Sequence, residues 1–369
     1  MVNEQPVLEP VSGARVWLGP EIARQQHDWT SVLDEADLSE LDAALAQAQT
    51  RGLGILELTP NNFPLPRLAH KLHGLRQGLQ QGRGFALMRG LPVAQYTLEQ
   101  IALIYFGIGA HIGEAVSQNA KGHALGHVCN LGFDPSLPTA RGYQSANKLN
   151  FHTDPTDVVG LLCLRKSKSG GESYIVSSAA VFNTMLEARP DLVAVLTRAL
   201  YRDRRGEIPA GCKPWYRLPA FNFSDGKLVT NYVRSTIDKA QRFNEVPRLT
   251  DAQLEAFALI ESIASDPAYT LKMDFEPGDI QFLNNHFIMH SRSAYEDYAE
   301  LHRRRHLLRL WLACDDAPAL PSPYFEFMGK TNSGRPNGYL MNDVELSAPL
   351  SPQDGGPGAS DQRLSASVN

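Results

Sequence analysis

Apolar residues recur at helical spacing between Ser31 and Arg51, through Leu33, Ala36, Leu38, Leu41, Ala44 and Leu45, and Gly52 follows as a stop. The pattern predicts a helix there. Residues 66–81 repeat it with Leu68, Leu72, Leu75 and Leu79. The period then breaks: GRGFALMRGLP (82–92) is a short apolar run between glycines and predicts a buried strand. Thr97 with Gln100 offers a capping box for a helix running to about Gly109.

Beyond residue 140 strands dominate. DVVGLLCLR (157–165) is a continuous apolar strand, Gly170-Gly171 a turn, and SYIVSS (173–178) a second strand. Residues 179–200 read as helix. A mixed stretch follows at 201–248, carrying Trp215, Tyr216, Phe221, Phe223 and Tyr232. Thr250 with Gln253 opens a further helix that ends near Ser265. DIQFLNN (279–285), after the turn PGD, and RHLLRLWLAC (305–314) are the last strands. Strands separated by turns and helical insertions predict a mixed α/β chain with a mainly β core, a jelly roll (double-stranded β-helix) with flanking helices. The expected division is an N-terminal helical lead-in at 1–80, a jelly-roll core domain at 81–316, and an extension at 317–369 whose Gly/Ser/Pro-rich end, SPQDGGPGASDQRLSASVN, predicts mobility.

Composition narrows the classes. The 369 residues are 43% hydrophobic, enough for a large core, and the net charge of -5 argues against nucleic acid as the main partner. The four cysteines, Cys129, Cys163, Cys212 and Cys314, form no paired motif and fit a reducing compartment. MVNEQPVLEP has neither a basic start nor an apolar stretch, and no apolar run is long enough to span a bilayer. A soluble, cytoplasmic protein is expected, with neither nucleic acid nor a membrane as partner; a homo-oligomer stays open.

The chemistry-bearing residues cluster in three places. LNFHTDP puts His152 and Asp154 two apart, so on a strand an imidazole and a carboxylate share one face while Thr153 turns away. A histidine from a distant strand would complete a 2-His-1-carboxylate triad with open metal positions. Alone, HTD reads more readily as a surface turn before Pro155; its place just ahead of a buried strand and a distal histidine changes that weighting. FLNNHFIMH offers two such histidines, His286 and His290, on one face of a regular strand. In RHLLRLWL, Arg305, Leu307, Arg309 and Trp311 share a face. Two buried arginines need anions, either structural carboxylates or a bound dicarboxylate matched by the planar guanidinium fork. His123, His127 and Cys129 hint at zinc but lack a fourth ligand at the usual spacing.

From GRGFALMRGLP to RHLLRLWLAC the chain resembles the taurine dioxygenase (TauD/TfdA) family of iron(II)/2-oxoglutarate oxygenases, with LNFHTD, GGESYIVSS, FEPGDIQFLNNHFIMHSR and RRHLLRLWL in the family's order. RVWLGPEIARQQHDWTSVLDEADLSELDAAL is also similar to a lead-in of one subgroup. The resemblance implies iron(II) bound by His152, Asp154 and His290, since the distal histidine is followed by a small residue and Arg, here Ser291-Arg292. It implies 2-oxoglutarate as co-substrate, its far carboxylate held by Arg305 with Ser173, O2 as oxidant, and Arg309 toward an acidic group of the substrate. Hydroxylation of an unactivated C–H bond, with release of succinate and CO2, is the implied outcome. Asp154 speaks against the halogenating variant. Another metal-dependent oxygenase or hydrolase, or a non-catalytic metal-binding barrel, is the alternative, and turnover of 2-oxoglutarate separates them.

Overall fold

Alternation along the strands builds two facing sheets, and the helices cover their outer sides. The computed structural model describes residues 8–132, 137, 139–339 and 344–352. The strands that matter are β1 (Thr30–Val32), β2 (Phe85–Arg89), β3 (Glu114–Ala115), β4 (Leu125–Val128), β5 (Leu149–His152), β6 (Val158–Arg165), β7 (Ser173–Ser177), β8 (Leu271–Met273), β9 (Ile280–Asn284), β10 (Ile288–Arg292) and β11 (His306–Ala313). Among the described residues the large sheet has seven strands in the order β1-β2-β9-β6-β11-β3, with β4 also on β11; the small sheet runs β8-β7-β10-β5. All these pairings are antiparallel except β1 with β2.

One face of the large sheet, with Leu162, Phe282, Leu308, Leu310 and Leu312, packs on the helices α1 (Glu35–Thr50), α2 (Leu68–Gln80) and α3 (Leu98–Ala110). The other face, with Val159, Cys163, Leu283 and Leu307, meets Ile175, Leu271 and Ile288 of the small sheet. Val176 and Met289 point outward from the small sheet into a second helical layer, α4 (Ser178–Ala188), α5 (Pro190–Leu196) and α7 (Asp251–Ser265). Between α5 and α7 lies α6 (Arg234–Ala240). Gly160 is required in β6: a Cβ there would stand 2.7 Å from the buried Tyr105 hydroxyl of α3. Both expected capping boxes form, Thr97 with Gln100 and Thr250 with Gln253.

Two expectations change. The helix expected over 179–200 is two helices meeting at Arg189, with Pro190 at the first position of the second, where its missing N–H costs nothing. A strand, Leu200–Asp203, follows, so residue 200 is extended. FLNNHFIMH is two strands in different sheets: a turn at 285–287 separates β9 from β10. Its asparagines explain the break. Asn284 Oδ1 accepts from the His286 N–H at 2.9 Å, and the Phe287 N–H bonds the Asn284 carbonyl at 3.1 Å, a local turn in place of the ladder. Past residue 316 the described residues include a further pair of strands. Met328–Lys330 pairs with Pro336–Tyr339, and Ser347 bonds to Gly122 and Ala124. The segment from 353 on, expected to be mobile, lies outside the described residues. Among the described residues no helix is long and apolar enough to cross a membrane.

Candidate active site

His152 closes β5 directly opposite His290 of β10, and the two rings stand 4.3 Å apart between centroids. Asp154 lies two residues past the end of β5, in a bend rather than on the strand. The bend is fixed from both sides. The Asp154 N–H donates to Asn285 Oδ1 at 2.9 Å, while Thr153 exchanges bonds with Tyr232, N–H to carbonyl at 2.9 Å and hydroxyl from N–H at 3.1 Å. Thr153 therefore faces away, as the two-residue period requires. One ligand atom from each of His152, Asp154 and His290 lies within 4.8 Å of the others. Asp154 Oδ2 is 4.0 Å from His290 Nε2, accepts the Trp311 indole N–H at 3.0 Å, and has Arg309 Nη1 at 3.7 Å.

All of this opens on one cavity of about 350 Å³, a size for a small molecule. Arg305 stands one residue before β11, which bulges between His306 and Leu307. Arg305, Leu307, Arg309 and Trp311 still line the cavity together. The Arg305 guanidinium lies 5.2 Å from the Tyr295 ring centre, and its buried Nη1 has no hydrogen-bond partner. Gly171, at φ 79°, passes over it; a Cβ there would stand 3.0 Å from Arg305 Nε. Ser173 lines the same cavity, with Gln281 3.4 Å from its hydroxyl. Arg309 is more engaged than the sequence indicates. Its Nε donates to Gln118 Oε1 at 2.7 Å, and it lies over Tyr143 and Trp311 at 4.5 and 4.9 Å.

Electrostatics set the protonation states. Burial, joined by the charge of Arg309, pushes His290 down to about 3, and burial lowers His152 as well. Burial would raise the Asp154 carboxyl, but Arg309, the two histidines and the Trp311 bond hold it below its ordinary value. The result is two neutral imidazoles beside an ionised carboxylate. His152 Nδ1 lies 2.8 Å from the Asn150 carbonyl and must donate to it, which leaves the Nε2 lone pair free for a metal.

His286 is outside this group. It sits in the turn and bonds Asp157 at 2.8 Å. The suspected zinc cluster does not form either. Among the described residues the one metal-capable group is His152, Asp154 and His290. His127 is instead part of a relay in which each ring is neutral. Arg165 donates to His306 Nδ1 (3.0 Å), His306 Nε2–H to His127 Nδ1 (2.8 Å), and His127 Nε2–H to the Pro349 carbonyl (2.8 Å). Of the aromatic residues singled out in 201–248, Tyr216 reaches the cavity, while Phe221 and Tyr232 are core.

In the sequence Arg292 stands only as part of the Ser291-Arg292 signature, with no role of its own at the site. Arg292 lines the cavity, donates to the carbonyls of Ser145 (2.9 Å) and Asn147, and keeps Nη1 without a partner. Burial and the neighbouring Arg305 lower it to about 10. Its two-residue spacing from His290 was the available signal, since both then share a face of β10.

Comparison with known proteins bears on this site. The profile of the Taurine catabolism dioxygenase TauD, TfdA family matches residues 51–311. The chain belongs to this family. It is 32% identical over 320 residues to FR-33289 synthase of Streptomyces rubellomurinus, covering 85% of this chain and 93% of that one. It is 34% identical over 308 residues to a taurine hydroxylase-like protein of Stachybotrys chartarum, covering 80% and 77%. Among solved structures, asparagine oxygenase superposes with a TM-score of 0.61 at 14% identity (84% of this chain, 98% of that), and the non-heme iron oxygenase OrfP with Fe at 0.58 and 16% (84% and 99%). At that identity the likeness is one of fold. As a TauD/TfdA member the chain is an oxidoreductase, an iron(II)- and 2-oxoglutarate-dependent dioxygenase that oxidises a small molecule as 2-oxoglutarate goes to succinate and CO2.

Proposed function

We propose that His152, Asp154 and His290 hold the iron(II), that Arg305 with Ser173 anchors the far carboxylate of 2-oxoglutarate, and that Arg309 serves the pocket of an anionic primary substrate. The observation that carries this is one cavity shared by three converging ligand atoms and a buried guanidinium whose Nη1 has no partner. An unpaired buried donor is costly, and a carboxylate satisfies it with a charge-assisted bond. Arg292, beside Arg305, adds positive charge at the same end. Trp311 and Arg309 orient Asp154 and hold it ionised, and the Asn150 carbonyl fixes the His152 tautomer. Bound iron(II), with 2-oxoglutarate and O2, supplies the oxidant for hydroxylating an unactivated C–H bond. The chain's own groups orient the reactants and exclude water.

The facing antiparallel sheets support reading the core, 81–316, as a double-stranded β-helix with 1–80 packed on it and 317–369 as an extension. Free cysteines throughout the described residues fit the cytoplasm. A substrate panel read by succinate release, with iron(II) and ascorbate, tests the function. The wild type should release succinate in a substrate-dependent way, and Asp154→Ala should neither bind iron nor turn over. Full activity of that variant overturns the assignment.

A further inference from the structure

The stretch 201–248 carries two cations to the cavity. Arg205 follows the strand Leu200–Asp203, and Lys239 sits in the last turn of α6. Both line the cavity that holds His152, Asp154 and His290, and the charge of Arg205 reaches His152. Neighbouring charges are neutralised within the protein. Arg141 pairs with Glu207, Arg234 with Asp238 at 2.8 Å, and Arg242 with Asp203 at 2.8 Å. Asp203 also accepts the Arg205 backbone N–H at 2.7 Å.

Arg205 and Lys239 are different. The Arg205 guanidinium donates to the Ser235 hydroxyl at 3.2 Å, and its Nε is buried without an acceptor. Lys239 donates to two carbonyls, Leu137 at 2.7 Å and Ala140 at 3.2 Å. Among the described residues neither forms an ion pair. Burial first, and then the charge of Arg205, lower Lys239 to about 8, against the opposing charge of Asp203. Arg205 also adopts φ 56°, a backbone region that residues with a Cβ seldom occupy and that is found more often at binding sites.

The geometry points to an anion-binding subsite formed by Arg205, Lys239 and the Ser235 hydroxyl, which receives a dianionic oxyanion group on the primary substrate, away from the carbon that is oxidised. Two positive charges without an ion-pair partner among the described residues match two negative ones, so a phosphate-like group fits better than a single carboxylate. The inference rests on the cavity being the active site, and it goes further in naming the class of substrate and the residues that select it.

The test titrates the iron(II)-loaded full chain, saturated with 2-oxoglutarate under nitrogen, with inorganic phosphate, sulfate and acetate by calorimetry. Saturation keeps the Arg305 end filled. Phosphate and sulfate should bind more tightly than acetate. Arg205→Gln and Lys239→Gln should each weaken phosphate at least about tenfold, and Lys239→Arg should retain most of the affinity. Binding of 2-oxoglutarate should be the same in all three variants. Phosphate that fails to bind the wild type, or binds the Gln variants equally well, overturns the subsite. Failure of 2-oxoglutarate to bind the iron-loaded wild type would instead sink the reading of the cavity as the active site.

Discussion

Two buried clusters in this chain use nearly the same side chains, from the same two stretches of sequence, and end in opposite states. Asp157, three residues after Asp154, accepts from His286 Nε2 (2.8 Å), twice from Arg335 (2.7 and 2.6 Å), from Asn337 Nδ2 (2.8 Å) and from the Cys314 N–H (2.9 Å). Burial alone would raise its carboxyl, but the Arg335 and His286 bonds bring it down to about 2. The other cluster has His152, Asp154, His290, Arg292 and Arg305, yet His290 Nδ1 and a guanidinium nitrogen of each arginine have no partner. A polar cluster whose bonds close on themselves is a structural pin; one that leaves buried donors open is built for something that arrives from outside. The pin also supports the site: the turn that carries His286 carries Asn285, which holds the Asp154 backbone.

Substitutions should separate the two clusters. The largest effect is expected at the open one. His152→Ala, Asp154→Ala or His290→Ala should reduce succinate release to background and abolish iron binding, with the circular dichroism of the fold unchanged. His286→Ala should keep its iron; if it loses the metal and His290→Ala does not, the distal histidine is misassigned. At the closed cluster, Asp157→Ala strands a buried guanidinium and should lower stability by about 3–5 kcal/mol in denaturant unfolding, as breaking a buried ion pair does.

A smaller effect belongs to the arginines. Arg305→Ala should raise the KM for 2-oxoglutarate at least about tenfold, since ~1.4 kcal/mol corresponds to a factor of ten and a charge-assisted pair contributes about that or more. Arg305→Lys should recover part of it, lacking the planar fork. Arg309→Ala should leave that KM nearly unchanged and uncouple turnover from the primary substrate. Exchanged phenotypes would show that Arg309 is the co-substrate ligand.

The smallest effect concerns pH. Burial and the charges of Arg165 and Arg305 push His306 down to about 3, so the folded chain keeps it neutral while the unfolded chain protonates it near 6.5. Its contribution to stability is complete above about pH 6.5 and declines as pH falls toward 3, at no more than about 1.4 kcal/mol per pH unit. His306→Gln should flatten that part of the stability profile. An unchanged slope between pH 6.5 and 5 would mean that the relay does not hold the ring neutral.

Local patterns were legible where local energy decides. The capping boxes at Thr97 and Thr250, the apolar run of β6 and the inward face of β11 follow from side chains one to four residues apart. The sequence also presented the HxD pair and, through the resemblance, a distal histidine. It misread FLNNHFIMH as one strand, because Asn285 in the turn between the sheets is held by Asp154 and Asp157, more than a hundred residues away. The same holds for Arg309, whose partner Gln118 lies 191 residues back, and for the cations Arg205 and Lys239 in a stretch without periodicity.

The sequence by itself determined the ligand types and the strand faces that carry them, because side-chain period and hydrogen-bonding chemistry are properties of the chain. Which histidine meets Asp154, which carboxylate is saturated and which buried donors stay open were decided only by the tertiary structure. Those outcomes depend on cross-strand register and on burial: His152 lies opposite His290 in one sheet, Arg335 closes on Asp157, and no described side chain reaches Arg305 Nη1. Strand register and desolvation arise only when distant segments are packed together, so no window of sequence contains them.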